Sequence, residues 1–210
     1  MDRVGRLRPT ALAASFLTAL LTCATLATPP PAQAAPHEPM INHATLGLGF
    51  ARHLSDDFKD SGLENGGQGQ LAYRYSLNQS VDLCLDMRSM MASDEVTATD
   101  ESGNPIAVKF ESETSYYGPG VRWSSGAGGV RPYLQANVFF VKETGRVELG
   151  DISIDASEDG AGFGLMGGAD IRLSRLLSLP IEATYLYGKP EVDVSSLGMQ
   201  VGLTFNFTPL

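Results

Sequence analysis

The sequence predicts an all-β fold, an eight-stranded antiparallel up-and-down transmembrane β-barrel. Three observations predict it. Apolar and polar residues alternate with a period of two, not 3.6, through eight segments of residues 35–210. The face opposite the apolar one is made of Gly, Gln, Asn and Thr, with acidic and basic side chains in equal number. The connections alternate between short and mostly long.

The elements follow in order. Arg3, Arg6 and Arg8 make a positive start, and residues 11–27 then carry no charge. Pro29, Pro30 and Pro31 break any helix, and Ala32-Gln33-Ala34 offers small residues for cleavage. Residues 1–34 therefore read as a cleaved secretory signal peptide, and 35–210 as the barrel. The alternative of a lipoprotein at Cys23 is weaker, since Leu20-Leu21-Thr22 precedes it in place of a small residue.

In the first segment Leu46, Leu48 and Phe50 share a face opposite Thr45, Gly47 and Gly49. In the second, Leu71, Tyr73 and Tyr75 oppose Gln70, Ala72 and Arg74, and in the third Leu83, Leu85 and Met87 oppose Asp82, Cys84, Asp86 and Arg88. Tyr117, Pro119, Val121 and Trp123 then oppose Tyr116, Gly118, Gly120 and Arg122. The fifth sets Leu134, Ala136, Val138 and Phe140 against Tyr133, Gln135, Asn137 and Phe139. The sixth sets Phe163, Leu165, Ala169 and Ile171 against Gly164, Met166, Asp170 and Arg172. The seventh sets Ile181, Ala183, Tyr185 and Tyr187 against Glu182, Thr184 and Leu186, and the last sets Met199, Val201, Leu203, Phe205 and Phe207 against Gln200, Gly202, Thr204 and Asn206.

A soluble lipocalin-like barrel would turn its apolar face inward, and a membrane barrel turns it outward. The second face decides, because Gly, Asn and Gln suit a narrow polar lumen better than a solvated surface. The lumen should then hold Arg74, Arg88, Arg122 and Arg172 paired with Asp82, Asp86, Asp170 and Glu182. Buried charges are tolerated only when paired, so four against four reads as a plug. Aromatic residues gather at two levels, Tyr75, Trp123 and Phe207 toward the short connections and Phe50, Tyr117, Phe140 and Tyr187 toward the long ones. Two such levels make interfacial girdles.

Composition bounds the rest. A net charge of -9 over 210 residues excludes the basic face that nucleic acids need. Removing residues 1–34 leaves 176 residues with a net charge of -11, and the connections 53–69, 92–113, 142–159 and 189–193 carry -13 of it. Asp94-Glu95, Asp100-Glu101 and Asp155 with Glu158-Asp159 offer oxygen ligands to divalent cations, without the spacing of a known loop. No cofactor or resident metal site is expected. His53-Leu54-Ser55 places a base near a hydroxyl, with Asp56 and Asp57 adjacent, but neighbours on a loop are not a preorganised triad.

The chain resembles the small eight-stranded outer-membrane barrels: the transmembrane domain of outer membrane protein A, OmpX and the opacity-type surface proteins. The sharpest match is the last segment, Gln200-Val201-Gly202-Leu203-Thr204-Phe205-Asn206-Phe207, which is similar to their terminal assembly signal at Gln200, Gly202, Phe205 and Phe207. Thr208-Pro209-Leu210 departs from it, since the aromatic usually ends the chain. The resemblance implies a bacterial outer-membrane location with both termini periplasmic. It also implies contact with lipid and lipopolysaccharide, and handling by the barrel-assembly machinery. The expected role is structural or surface-interacting, in envelope integrity or adhesion, and not enzymatic. A narrow pore and a lipid A-modifying hydrolase are the alternatives, and the His-x-Ser-Asn form of the latter fails at Asp56.

Overall fold

The computed structural model describes residues 41–207 apart from 56–57, 59–61, 100–102, 104, 127, 150–151 and 191–193. The chain divides into two compact units, Met1–His37 and Glu38–Leu210. The first, with the expected leader, lies outside the described residues, as do Thr208, Pro209 and Leu210.

Eight strands form the second unit: β1 (Asn42–His53), β2 (Asn65–Ser76), β3 (Val81–Thr99), β4 (Pro105–Ser124), β5 (Val130–Leu149), β6 (Ile152–Arg172), β7 (Leu177–Lys189) and β8 (Val194–Phe207). Each pairs antiparallel with its neighbours, and β1 pairs with β8 from Asn42↔Phe207 to His53↔Ser196, which closes the barrel. Closure satisfies the backbone without water, the condition for crossing lipid with strands.

The alternation has the sense the sequence predicts. Leu48, Phe50, Leu85 and Val138 point outward and are 75%, 81%, 58% and 63% exposed. Arg74, Arg88, Arg122, Gln135 and Glu182 point inward and are buried. The apolar belt faces lipid and the polar residues face the interior.

The turns at one end are tight. Asn78 Oδ1 accepts from the backbone N–H groups of Ser80 and Val81 and so fixes the β2–β3 turn. Gly126 sits at φ 86° in the β4–β5 turn, where a Cβ would strain the backbone.

The other end differs from expectation. Segments 92–113 and 142–159 read as loops in the sequence, yet both are continuations of strands. β1, β2, β7 and β8 have 12, 12, 13 and 14 residues, little more than a tilted strand needs to cross a bilayer. β3 to β6 have 19, 20, 20 and 21. Their register continues to Thr99↔Pro105, Val108↔Leu149 and Leu149↔Ile152. A four-stranded sheet therefore projects beyond the barrel wall. Its two edges, Ala92–Thr99 of β3 and Ile152–Gly160 of β6, have no further strand partner among the described residues.

Candidate functional site: the lumen and its projecting sheet

The lumen is layered. Its middle is an ionic layer centred on Arg88, which has almost no exposure. Arg88 lies 3.0 Å from Asp86 Oδ2 and 2.8 Å from Glu182 Oε1. Asp86 also accepts from Gln70 Nε2 at 2.9 Å and from Gln135 Nε2 at 2.7 Å. Glu182 accepts from the Tyr133 hydroxyl at 2.8 Å and from Gln200 Nε2 at 2.9 Å. Strands β2, β3, β5, β7 and β8 thus meet on two carboxylates, because their inward residues converge on one axis.

Below it, toward the tight turns, Arg122 pairs with Asp170, and Arg74 Nη1 stands 3.8 Å from the same carboxylate. The Arg122 guanidinium also lies 3.3 Å above the centre of the Tyr133 ring, a cation–π contact. Arg74 donates to Thr45 Oγ1 and Thr204 Oγ1, each at 3.2 Å. Asp82 accepts from Ser76 Oγ at 2.6 Å, and Ser76 Oγ lies 3.0 Å from His43 Nε2. Cys84, a buried free thiol, stands on the inward face of β3 between Asp82 and Asp86.

The structure brings seven of the eight expected charges inside and excludes Arg172. That residue ends β6 where the wall stops, is exposed, and donates to the Ser174 carbonyl of its own turn at 3.4 Å. Arg131 stands opposite Asp170 in its place and donates to Ser124 Oγ at 2.9 Å. Arg131 lies two residues before the inward Tyr133, and that spacing was the signal for it.

Above the ionic layer the interior turns apolar. Tyr116, Phe139, Val141, Met166 and Leu186 form one buried cluster, with Tyr116 and Phe139 edge to face at 5.7 Å. Gly164 makes room for it, since a Cβ there would come within 2.6 Å of the Phe139 ring. A second cluster of Phe58, Leu63, Ala92 and Val194, with Phe110 packed against it, lies toward the long-loop end. Phe58 stacks on His53 with ring centres 4.0 Å apart. His53 lies beyond the outer aromatic row, and burial alone pushes its imidazole down to about 4. Neither ring nitrogen has a hydrogen-bond partner among the described residues, so Ser55 is not bonded to it. Asp56 and Asp57 lie outside the described residues.

The lower lumen holds a cavity of about 10 Å³ beside Thr45, Gln70, Arg74, Arg122, Gln135 and Glu182. That is room for about one water.

On the outside, Phe50, Tyr117 and Phe140 lie on the outward face near the long-loop end with Tyr187, and Tyr75 and Trp123 near the tight turns. Of the terminal signal, Phe205 and Phe207 face outward, Gln200 faces the lumen, and a Cβ on Gly202 would meet the Leu46 carbonyl oxygen at 2.6 Å.

In the projecting sheet the two faces exchange character. Val96, Ile106, Val108, Phe110, Val147, Leu149, Ile152 and Ile154 continue the inward face. The outward face carries Glu95, Lys109, Glu111, Arg146, Glu148 and Asp155. Lys109 pairs with Glu111 at 2.6 Å and Arg146 with Asp155 at 2.7 Å. These contacts raise the Lys109 and Arg146 cations and lower the Glu111 carboxyl. Glu143, facing inward, is pushed up to about 7 by burial and then by Glu158. The expected acidic clusters are split by the pleat. Asp94 and Glu95 point to opposite faces, as do Glu158 and Asp159, and Asp100 and Glu101 lie outside the described residues.

Comparison with known proteins gives a consistent picture. The family model described as outer membrane protein beta-barrel domain matches residues 16–207. No curated protein matches the chain. Among solved structures, the chain is similar to Ail, the attachment invasion locus protein of Yersinia pestis, crystallised with the heparin analogue sucrose octasulfate. That match has 14% identity and a TM-score of 0.55, over 81% of this chain and 100% of that one. It is similar to a major outer membrane protein from Thermus thermophilus at 12% identity and a TM-score of 0.53, over 81% and 100%. It is also similar to Neisserial surface protein A at 16% identity and a TM-score of 0.52, over 82% and 100%. At these identities the likeness is one of fold.

Proposed function

Since this chain belongs to the outer membrane protein beta-barrel domain family, its place is the bacterial outer membrane, and there we propose that it is a surface-interaction protein acting through its projecting sheet. The observation that carries this reading is the pair of strand edges, Ala92–Thr99 and Ile152–Gly160, that have no further strand partner among the described residues. Such edges present unpaired N–H and C=O groups to an incoming extended segment. The described part of the sheet, 92–99, 105–116, 142–149 and 152–160, holds nine acidic and three basic residues, so a basic partner is favoured. The fold it shares with Ail, by name an attachment and invasion protein, fits an adhesive role.

The lumen serves as a plug in this reading, supported by its ion pairs and its apolar layer. Both termini lie with the tight turns on the periplasmic side. Gln200, Gly202, Phe205 and Phe207 act as the signal to the assembly machinery. Lipopolysaccharide surrounds the outer row of aromatics, and the acidic outer end attracts divalent cations. The role is not enzymatic.

The test is adhesion of cells displaying the wild-type chain or one with 94–110 and 145–156 each replaced by a tight turn. Adhesion should fall to that of the empty strain while the heat-modifiable gel shift persists. Unchanged adhesion refutes the reading. A silent planar bilayer is expected in parallel, and stable conductance steps would replace the plug by a pore.

A further inference from the structure

One row of oxygen-bearing side chains crosses the inner face of the projecting sheet, just beyond the apolar layer. Thr114 of β4 is the register partner of Glu143 of β5, and Glu143 is the partner of Glu158 of β6. All three share the inward face, two residues on from Tyr116, Val141 and Gly160 respectively. Directly opposed carboxylates repel, and a pleated sheet sets such partners about 5 Å apart. Glu143 forms no ion pair among the described residues. Lys142 and Asp159, one step along, stand on the other face. The second observation is independent of the carboxylates. Thr114 is completely buried, and its Oγ1, aimed into the same row, has no hydrogen-bond partner among the described residues. Ser112, two residues along on that face, is likewise buried with its hydroxyl unpartnered. A buried hydroxyl left without a partner is costly unless something fills the gap.

We propose that Glu143, Glu158 and Thr114 form a binding site for a hard divalent cation, Ca²⁺ first, at the outer mouth of the barrel. Ca²⁺ takes six to eight oxygens and tolerates irregular geometry. The two carboxylates and the Thr114 hydroxyl supply part of that shell, and water reaching the β6 edge supplies the remainder. A site with two carboxylates belongs to the weak class, with a Kd on the order of 10⁻⁴–10⁻³ M, as in extracellular modules. The site rests on the reading that the acidic outer end attracts cations, and gives that attraction a location.

The experiment is calorimetric titration of the full chain, refolded in detergent at about 0.15 M salt, with CaCl₂ and separately with MgCl₂. One saturable Ca²⁺ site is expected. Glu143→Gln and Glu158→Gln should each weaken it at least tenfold, and Thr114→Val several-fold. Glu95→Gln and Asp155→Asn should bind as wild type. Binding that survives both Glu→Gln changes but falls with Glu95→Gln or Asp155→Asn overturns this site and leaves the broader cation reading standing. No saturable binding in the wild type overturns both. The heat-shift gel reports folding of each variant. Should Glu143→Gln fail to refold, Thr114→Val decides in its place: unchanged Ca²⁺ affinity there refutes the site.

Discussion

Strands β3 to β6 pass through two surroundings in one unbroken register, and their faces change sign between them. Within the belt, Leu83, Leu85, Val121, Leu134 and Leu165 point outward while Asp82, Asp86, Arg122 and Gln135 point inward. In the projecting sheet the outward face carries Glu95, Lys109, Arg146 and Asp155, and the inward face Val96, Val108, Val147 and Ile154. The exchange is not abrupt. At Tyr116-Tyr117 and Phe139-Phe140 both faces are apolar, which is where the interior cluster sits level with the outer aromatic row. Alternation establishes that a strand has two faces. What lies on each side, lipid or water outside and a paired lumen inside, decides which face is which.

The comparison can be tested where it predicts the largest difference. Arg88→Met removes the cation shared by Asp86 and Glu182 and leaves two buried carboxylates uncompensated. A loss of about 3–5 kcal/mol is expected in urea unfolding from detergent micelles. Arg146→Ala, which breaks pairs on the water-exposed outer face, should leave the unfolding midpoint unchanged. Equal losses would remove the distinction between the two regions.

The same substitution at two outward positions of β3 sharpens it. Leu85→Arg puts a charge against lipid and should cost about 2–4 kcal/mol. Thr97→Arg lies on the same face, twelve residues on, and should stay within about 0.5 kcal/mol. A large penalty at Thr97 would mean that the sheet is buried, not projecting.

His53 marks the boundary and gives the prediction for pH. Its folded value of about 4 lies below the ordinary 6.5, so the unfolded chain binds more protons between these values. The stability it contributes is complete above pH 6.5 and falls as pH drops toward 4, by up to about 3 kcal/mol. His53→Leu should flatten the difference between unfolding midpoints at pH 7 and pH 4.5. An equally steep profile in that variant would show that other groups carry it.

Most of the belt was legible in the sequence, because an apolar residue every second position marks Leu46-Gly47-Leu48 and Leu83-Cys84-Leu85 as strands, and the Gly, Gln and charged residues of the opposite face say which side is outward. Arg172 was misplaced because parity says which face a residue is on, not where the wall ends. The projecting sheet was hidden for a related reason. Ile106-Ala107-Val108-Lys109-Phe110 alternates as clearly as any belt strand, but acidic residues around it suggested solvated loop. Phe139, Met166 and Leu186 of the first interior cluster had the inward parity in the sequence, whereas Phe58, Leu63 and Ala92 of the second fell in segments read as loops. What the sequence did not reveal is that Phe139, Met166 and Leu186 meet, because β4, β5, β6 and β7 bring them together only through the barrel's stagger.

Cys84 makes the lumen chemically addressable. With Cys23 replaced by Ser it is the only thiol in the chain. It stands midway between the ionic centre and the tight turns, fenced by Arg74, Asp82 and Asp86. Its modification rate is therefore a clock for the opening of the interior. A small neutral maleimide that labels it as fast in the folded barrel as in urea would report a path. Protection lasting as long as the fold would time the life of the closed state, with no current to record and no ligand to know in advance.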